Sequence, residues 1–422
     1  MRRLVGDRAL LLDTTLRMLM TNGLKLAAAV ASFGILAWSV GAVAADQPQI
    51  SKSVVKQLKA AQDAEQAKHF DEALNDVNQA KSAPGEKTAY DNFVINGLLI
   101  KIYQGQNNQT ELVKVLEATA QSQYSSPDQQ KTFYKYIAQY YFQQKDYGKS
   151  VDAAQEAIKH GANDADTQLL VAKAQYLAGK FKDAAQSMNE IVGKMEKPDE
   201  ESLKLQWQFD LKAEDKAGAD RTVERLVALY PKPEYWAQAL ASLVRMDIKD
   251  SHLQLNVYRL MNDVGVLKLP TDYSEMAELA LDQGYPGETV SVLQEAFQKN
   301  VFTEQRDKDR YQHLLDGAKQ RAAQDQPTLG KTEPADGNGL LQLGVAYLTY
   351  GQADKALSYI TKGIQKGGLK SVDEANVVLG IAQLKAHNAA EAQKSFDKVT
   401  SSQNPGYARL GKLWALRTVS HG

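Results

Sequence analysis

Six histidines, His69, His160, His252, His313, His387 and His421, are the side chains of this 422-residue sequence best suited to proton transfer or metal binding. No two of them stand at the spacing that would place both imidazoles on one helix face, and a metal site needs three or four converging ligands. Packing and solvent roles are therefore expected of them. Cysteine is absent, which removes disulfides, thiolate metal sites, cysteine nucleophiles and a lipid-bearing cysteine together. There is no Gly-Xaa-Ser-Xaa-Gly, no phosphate-cradling glycine loop and no Ser/His/Asp set in a recognisable context. The sequence thus predicts no enzyme activity, no metal, no cofactor and no small-molecule substrate. Its densest chemistry is aromatic: Phe133, Tyr134, Tyr136, Tyr140, Tyr141, Phe142 and Tyr147 crowd one segment, enough rings for a ligand cage.

The elements that must position these residues are read from a pattern written twice between residues 343 and 396. Leu343, Gly344, Tyr347, Gly351 and Ala356 come first, and Leu379, Gly380, Ala392 and Phe396 answer them. Gly344 and Gly380 are 36 residues apart, and each is followed by an alanine 12 residues on. Two antiparallel helices approach closely only where small residues face each other, with large apolar residues a turn away filling the space between. At these residues the chain resembles the tetratricopeptide repeat family. That resemblance implies an all-α, right-handed superhelical solenoid of helix-turn-helix repeats, with a concave groove that holds peptides or partner proteins.

On this frame, residues 46–304 read as repeats one to seven. The third and fourth are the clearest, with Ala138 and Ala172 separated by the family period of 34 residues. Residues 305–325 form an extra polar helix. Residues 326–339 carry Pro327, Gly330, Pro334, Gly337 and Gly339 and are expected as a flexible linker. Two C-terminal repeats span 340–406, and 407–422 is a capping helix and tail with Leu410, Leu413 and Trp414 inward and Arg409, Lys412 and Arg417 outward. With nearly every segment assigned to repeats, a single long array is expected.

Aligned on the family pattern, Tyr134 and Tyr141 fall at internal packing positions. The groove-facing positions would be Lys135, Gln139 and Phe142, followed in the next repeat by Leu169, Lys173 and Tyr176. Two lysines beside two aromatics suit a peptide, the rings giving area and the lysines meeting carboxylates. Family members that bind a C-terminal carboxylate pair Lys with Asn on consecutive repeats. This chain departs from that, with Gln139 where Asn would stand and Leu170 at the next polar site.

The formal net charge is −1, yet the first 45 residues carry five basic and two acidic side chains, leaving a mildly acidic remainder without a basic stripe. Nucleic acid is a poor fit for such a body. Residues 1–45 read as a secretory signal: a basic start, an apolar run over 26–40, and Ala42-Val43-Ala44-Ala45 before a cleavage site near Ala45 or Asp46. An uncleaved anchor, or a start at Met18 or Met20, is the alternative. The expected location is the periplasm of a Gram-negative bacterium, and the expected role a non-catalytic protein–protein interaction scaffold of open oligomeric state. Residues 226–236, where Leu-Tyr-Pro ends one helix and Pro-Glu-Tyr-Trp opens the next, resemble periplasmic repeat proteins that accompany TonB, ExbB and ExbD. That implies an accessory role in TonB-dependent transport. The alternative is a scaffold for envelope biogenesis or for polysaccharide or peptidoglycan secretion machinery.

Overall fold

The structure is a computed structural model that describes residues 48–420 apart from Arg245 and Asp247. The expected export signal and His421 lie outside the described residues. Among them there are twenty α-helices and no strand, so the fold is all-α and built from tetratricopeptide-like helical hairpins. The chain divides into two compact units between Lys216 and Ala217.

The first unit holds α1 (Lys52–Gln66), α2 (Phe70–Ser82), α3 (Ala89–Gly105), α4 (Gln109–Ala120), α5 (Pro127–Gln143), α6 (Tyr147–Lys159), α7 (Ala165–Leu177), α8 (Phe181–Gly193) and α9 (Glu200–Lys212). Each helix packs on the next, with α1 also reaching α3 and α5 reaching α7. The sequence starts these helices with side-chain caps: Asn108, Asp146, Asp164 and Asp199 each accept from a backbone N–H in the first turn of α4, α6, α7 and α9. Thr88 and Ser126 form reciprocal capping boxes with Asp91 and Gln129, so orphan donors are satisfied where the chain reverses. The turn inside each hairpin places one residue in the left-handed region, Lys68, Asn107, Lys145 and Gly179 in turn. The residue after it then donates its N–H back into the first helix, as in Asp146 N to Tyr141 O at 2.9 Å and Lys180 N to Gln175 O at 2.9 Å.

Small residues let the paired helices touch. Ala138 and Ala154 are fully buried, and Ser150, at the position where the later repeats carry Ala356 and Ala392, donates its hydroxyl to the Ala138 carbonyl at 2.8 Å. Thr289 repeats this bond to Ala277 at 3.0 Å.

The second unit begins one residue into α10 (Lys216–Leu229) and runs through α11 (Pro233–Val244), α12 (Ser251–Asp263), α13 (Pro270–Asp282), α14 (Pro286–Gln298), α15 (Gln305–Asp325), α16 (Gly337–Thr349), α17 (Ala353–Lys366), α18 (Val372–Lys385) and α19 (Ala389–Thr400) to α20 (Pro405–Ser420). Here the pattern departs from a linear array, in which a repeat meets only its neighbours. Helix α20 packs on α11, α12 and α18 as well as on α19, and α18 packs on α12. The apolar face of α20 requires it: Tyr407, Leu410, Leu413 and Trp414 are at most 2% exposed, and Trp414 stacks on Phe396 with centroids 5.4 Å apart.

Two expectations change. The two arginines of α20 do not face outward: Arg409 pairs with Glu224 of α10, and Arg417 meets Asp263 of α12 at 2.7 Å, whereas Lys412 stays exposed and reaches Glu224 from the surface at 2.7 Å. Helix α16 begins at Gly337, within the stretch expected as a linker, because Gly337 packs directly against α17, where a Cβ would fall 2.7 Å from the Gly363 carbonyl oxygen. The preceding turns are tied down, with Tyr347 donating its hydroxyl to Leu329 O at 3.0 Å and Lys362 pairing with Glu333 at 3.2 Å.

Candidate functional site

The six groove positions read from the sequence do not share one task. Lys135, on α5, reaches Asp164 at 2.9 Å, and Asp164 already caps α7 by accepting from Thr167 N at 3.0 Å. Burial pushes the Asp164 carboxyl up, but the bonds from Lys135 and Thr167 outweigh it and hold it below the usual range. Tyr176 is a core residue: its ring lies 4.5 Å from Phe209 in a near-parallel stack and meets Phe181 edge-on. Lys173 is half-buried, and burial pushes its ammonium down against the opposing pull of Asp166. Gln139 and Leu169 are also half-buried. Phe142 is half-buried against the edge of Tyr147 at 5.6 Å.

A different stripe of α5 lines an open recess. Tyr134, Ile137 and Tyr141 form the floor of a cleft of about 620 Å³ whose walls come from Glu117 on α4 and from Lys149, Asp152 and Glu156 on α6. The register places Tyr134 and Tyr141 inside the repeat, yet both are only half-buried, while Phe133 and Tyr136 are the buried aromatics of this helix. The Tyr141 hydroxyl donates to Glu117 Oε1 at 2.7 Å. Burial first, and then that carboxylate, hold its proton well above the ordinary phenol range, so Tyr141 remains a neutral donor. Lys149 stands over its ring at 4.9 Å, and Tyr134 stacks on His160 at 5.8 Å. The signal missed in the sequence was Glu117, one helix earlier, whose position only the stacking of α4 on α5 reveals.

The second unit encloses its own hollow of about 500 Å³, walled in part by Arg259, Asp263, Glu288, Lys385 and Trp414. Its charged walls pair with each other. Arg259 makes a two-pronged bond to Glu288 at 2.8 and 2.7 Å and a third to Asn256 at 2.9 Å. Asp263 takes Arg417 on one oxygen and Lys385 at 3.3 Å on the other. His252 Nδ1 lies 2.8 Å from Glu374, so the histidine with the strongest electrostatic partner joins α12 to α18. Among the described residues, no three His, Asp or Glu side chains converge as metal ligands, and no helix is long and apolar enough to cross a membrane.

No protein-family model matches the sequence, and no curated protein matches it. Among solved structures it is similar to a tetratricopeptide repeat protein from Parabacteroides merdae ATCC 43184, at 11% identity over 79% of this chain and 100% of that one, with a TM-score of 0.28. It is similar to Naa15/Naa10 bound to HypK-THB, at 15% identity over 83% of this chain and 58% of that one, TM-score 0.29. The APC/C hetero-tetramer Cut9-Hcn1 is a third, at 12% identity over 75% and 66%, TM-score 0.23.

Proposed function

We propose that this chain is a non-catalytic scaffold that holds protein partners and is exported to the periplasm. The open cleft between α4 and α6 carries that reading, because it sets two half-buried tyrosines beside carboxylates at the surface. Rigid aromatic area next to charge is how protein surfaces anchor a partner's side chains. The buried charges elsewhere, such as Asp91, Arg259 and Glu224, are engaged in caps and interhelix pairs. Export rests on the apolar run over 26–40 and the small residues that follow it.

The finer role, as an accessory to TonB-dependent transport, rests on residues 226–236. Tyr235 and Trp236 in that stretch are 5% and 1% exposed, so what supports the resemblance is core packing. A scaffold for envelope biogenesis or for polysaccharide or peptidoglycan secretion is the other reading. Affinity capture from crosslinked envelope fractions, with mass spectrometry of the N-terminus and of the captured proteins, tests all of this together. An N-terminus near Asp46 with TonB-system proteins is the expected result. An intact N-terminus, or a synthesis or secretion complex, turns the assignment to the other reading, and the absence of any partner ends the scaffold proposal.

A further inference from the structure

We infer that the cleft between α4 and α6 receives a basic side chain, lysine or arginine, from an extended segment of a partner protein; this rests on the scaffold reading and gives it a chemistry. Three carboxylates, Glu117, Asp152 and Glu156, line the recess against one lysine, Lys149. Glu156 also holds Lys159 at 2.5 Å, and Glu117 accepts from Tyr141, whereas Asp152 stands exposed on the rim.

The floor suits the rest of such a side chain. Ile137 and Ala153 are apolar and match the methylene stem that lysine and arginine lay along apolar surface while the charged head stays near water. The tyrosine rings present faces that attract a cation, and Lys149 over Tyr141 shows one ring of the cleft already in that geometry. The volume, about 620 Å³, lies in the range of clefts that take a small ligand and is ample for one long side chain. An acidic side chain would meet an excess of like charge, three carboxylates against Lys149 in the lining, and a purely apolar one would strip water from them with nothing in return. The cleft also differs from the groove positions read from the sequence, since it uses the stripe of α5 that carries Tyr134, Ile137 and Tyr141 and the second helices on either side.

The test uses the full chain and blocked peptides, acetyl-Arg-Gly-Arg-amide against its citrulline counterpart, which keeps the shape but has no charge and carries a carbonyl acceptor in place of one NH2 donor. Isothermal titration at low ionic strength is expected to show saturable one-to-one binding of the arginine peptide, with the citrulline peptide weaker by about tenfold or more. The double variant D152N/E156Q, which touches no helix cap, is expected to weaken the arginine peptide by about tenfold and to keep the wild-type circular dichroism spectrum. Equal binding of the two peptides, or unchanged affinity in the folded double variant, overturns the inference. A photo-crosslinking residue placed at Gln155 separates it from the scaffold reading. A crosslinked partner peptide carrying lysine or arginine at the contact supports the basic occupant. A partner captured through an acidic or apolar segment removes the basic occupant and leaves the scaffold intact.

Discussion

Gly344 and Gly380 are glycine because of what stands opposite them. A Cβ on Gly344 would lie 2.6 Å from Ile360 Cγ1 and 2.8 Å from the Ile360 backbone nitrogen, and one on Gly380 would press into the edge of the Phe396 ring, 2.8 Å from Cδ1. We expect Gly344→Ala and Gly380→Ala to lose about 1–3 kcal/mol, with Gly344 the more costly because backbone cannot swing aside. Gly317, in the exposed helix α15, meets nothing within 4 Å, so Gly317→Ala should gain up to about 1 kcal/mol. Urea denaturation of the three variants checks both signs. Nothing in the repeat pattern singles out Asp91. It is fully buried and accepts from Ser51 N at 2.8 Å, Ser51 Oγ at 2.6 Å and Thr88 N at 2.9 Å, joining the start of α1 to that of α3. Burial pushes its carboxyl up, but those bonds outweigh it and hold it below the ordinary 3.8. A depressed acid contributes stability that is present above its unfolded value and lost as pH falls through the folded one. Asp91→Asn should therefore destabilise by about 1–3 kcal/mol at neutral pH and flatten the acid limb of stability against pH below about 4. An unchanged acid limb would show that the carboxylate is not what joins the two helices.

At the scale of the element, the hairpin turn is the unit that repeats most faithfully. Where the sequence shows glycine, at Gly179, Gly284 and Gly351, the turn is legible, and all three have positive φ. Lys68, Asn107, Lys145, Glu214 and His387 occupy the same left-handed position without being glycine, so the pattern fades there while the geometry persists. The hydrogen bonds around the turn hold it: Asn388 N reaches Gln383 O at 2.8 Å just as Asp146 N reaches Tyr141 O at 2.9 Å. A side chain in that region carries a steric cost of roughly 1–2 kcal/mol, partly offset in the glycine variant by its freer unfolded chain. Lys145→Gly should thus raise stability by about 0.5–1 kcal/mol, read as a higher denaturation midpoint with an unchanged slope. A loss of stability would mean that Lys145 makes contacts worth more than its strain. Asp, Asn, Ser or Thr precedes most of the described helices, so residue type alone marks many of the caps. Which stripe of α5 would be core was not legible, because Tyr134 and Tyr136 are both aromatic and only their neighbours α4 and α6 tell them apart.

At the scale of the whole molecule, the informative finding is the closure of the second unit. Its last helix returns to α10 and α12 through Glu224 and Asp263, each of which holds two cations of the C-terminal helices. Asp263→Asn removes the carboxylate that Arg417 and Lys385 share. Removing one partner of a largely buried pair costs about 2–4 kcal/mol, and the loss should appear as faster hydrogen exchange in α20, α12 and α18 with the first unit unchanged. His252 gives the same seam a pH dependence. Its hydrogen bond to Glu374 raises its pKa above the ordinary 6.5, with Asp250 adding to the rise and burial and Arg259 opposing it. Lys370 and Tyr285 line the recess beside it. A raised histidine contributes stability that is complete below the unfolded value and fades as pH climbs through the folded one. The second unit should therefore weaken between about pH 6 and 8, and His252→Gln should remove that slope while leaving the acid limb set by Asp91. A slope that survives the substitution would place the titrating group elsewhere.

The sequence by itself determined the helical-repeat fold, the caps and the small-residue contacts, because each depends on residues within one hairpin and on spacings of about 12 and 34–36 positions. Tertiary structure alone decided what the charged and aromatic residues do. The family resemblance alone puts Lys135, Lys173 and Tyr176 at groove positions, yet Lys135 meets Asp164 across 29 residues and Tyr176 meets Phe209 in the next pair. Glu224 and Arg409 stand 185 residues apart. Periodicity reports which face of a helix is apolar; it carries no information on which distant helix supplies the partner, since that depends on how the stacked pairs curve and where the last helix finds room to bury its tryptophan.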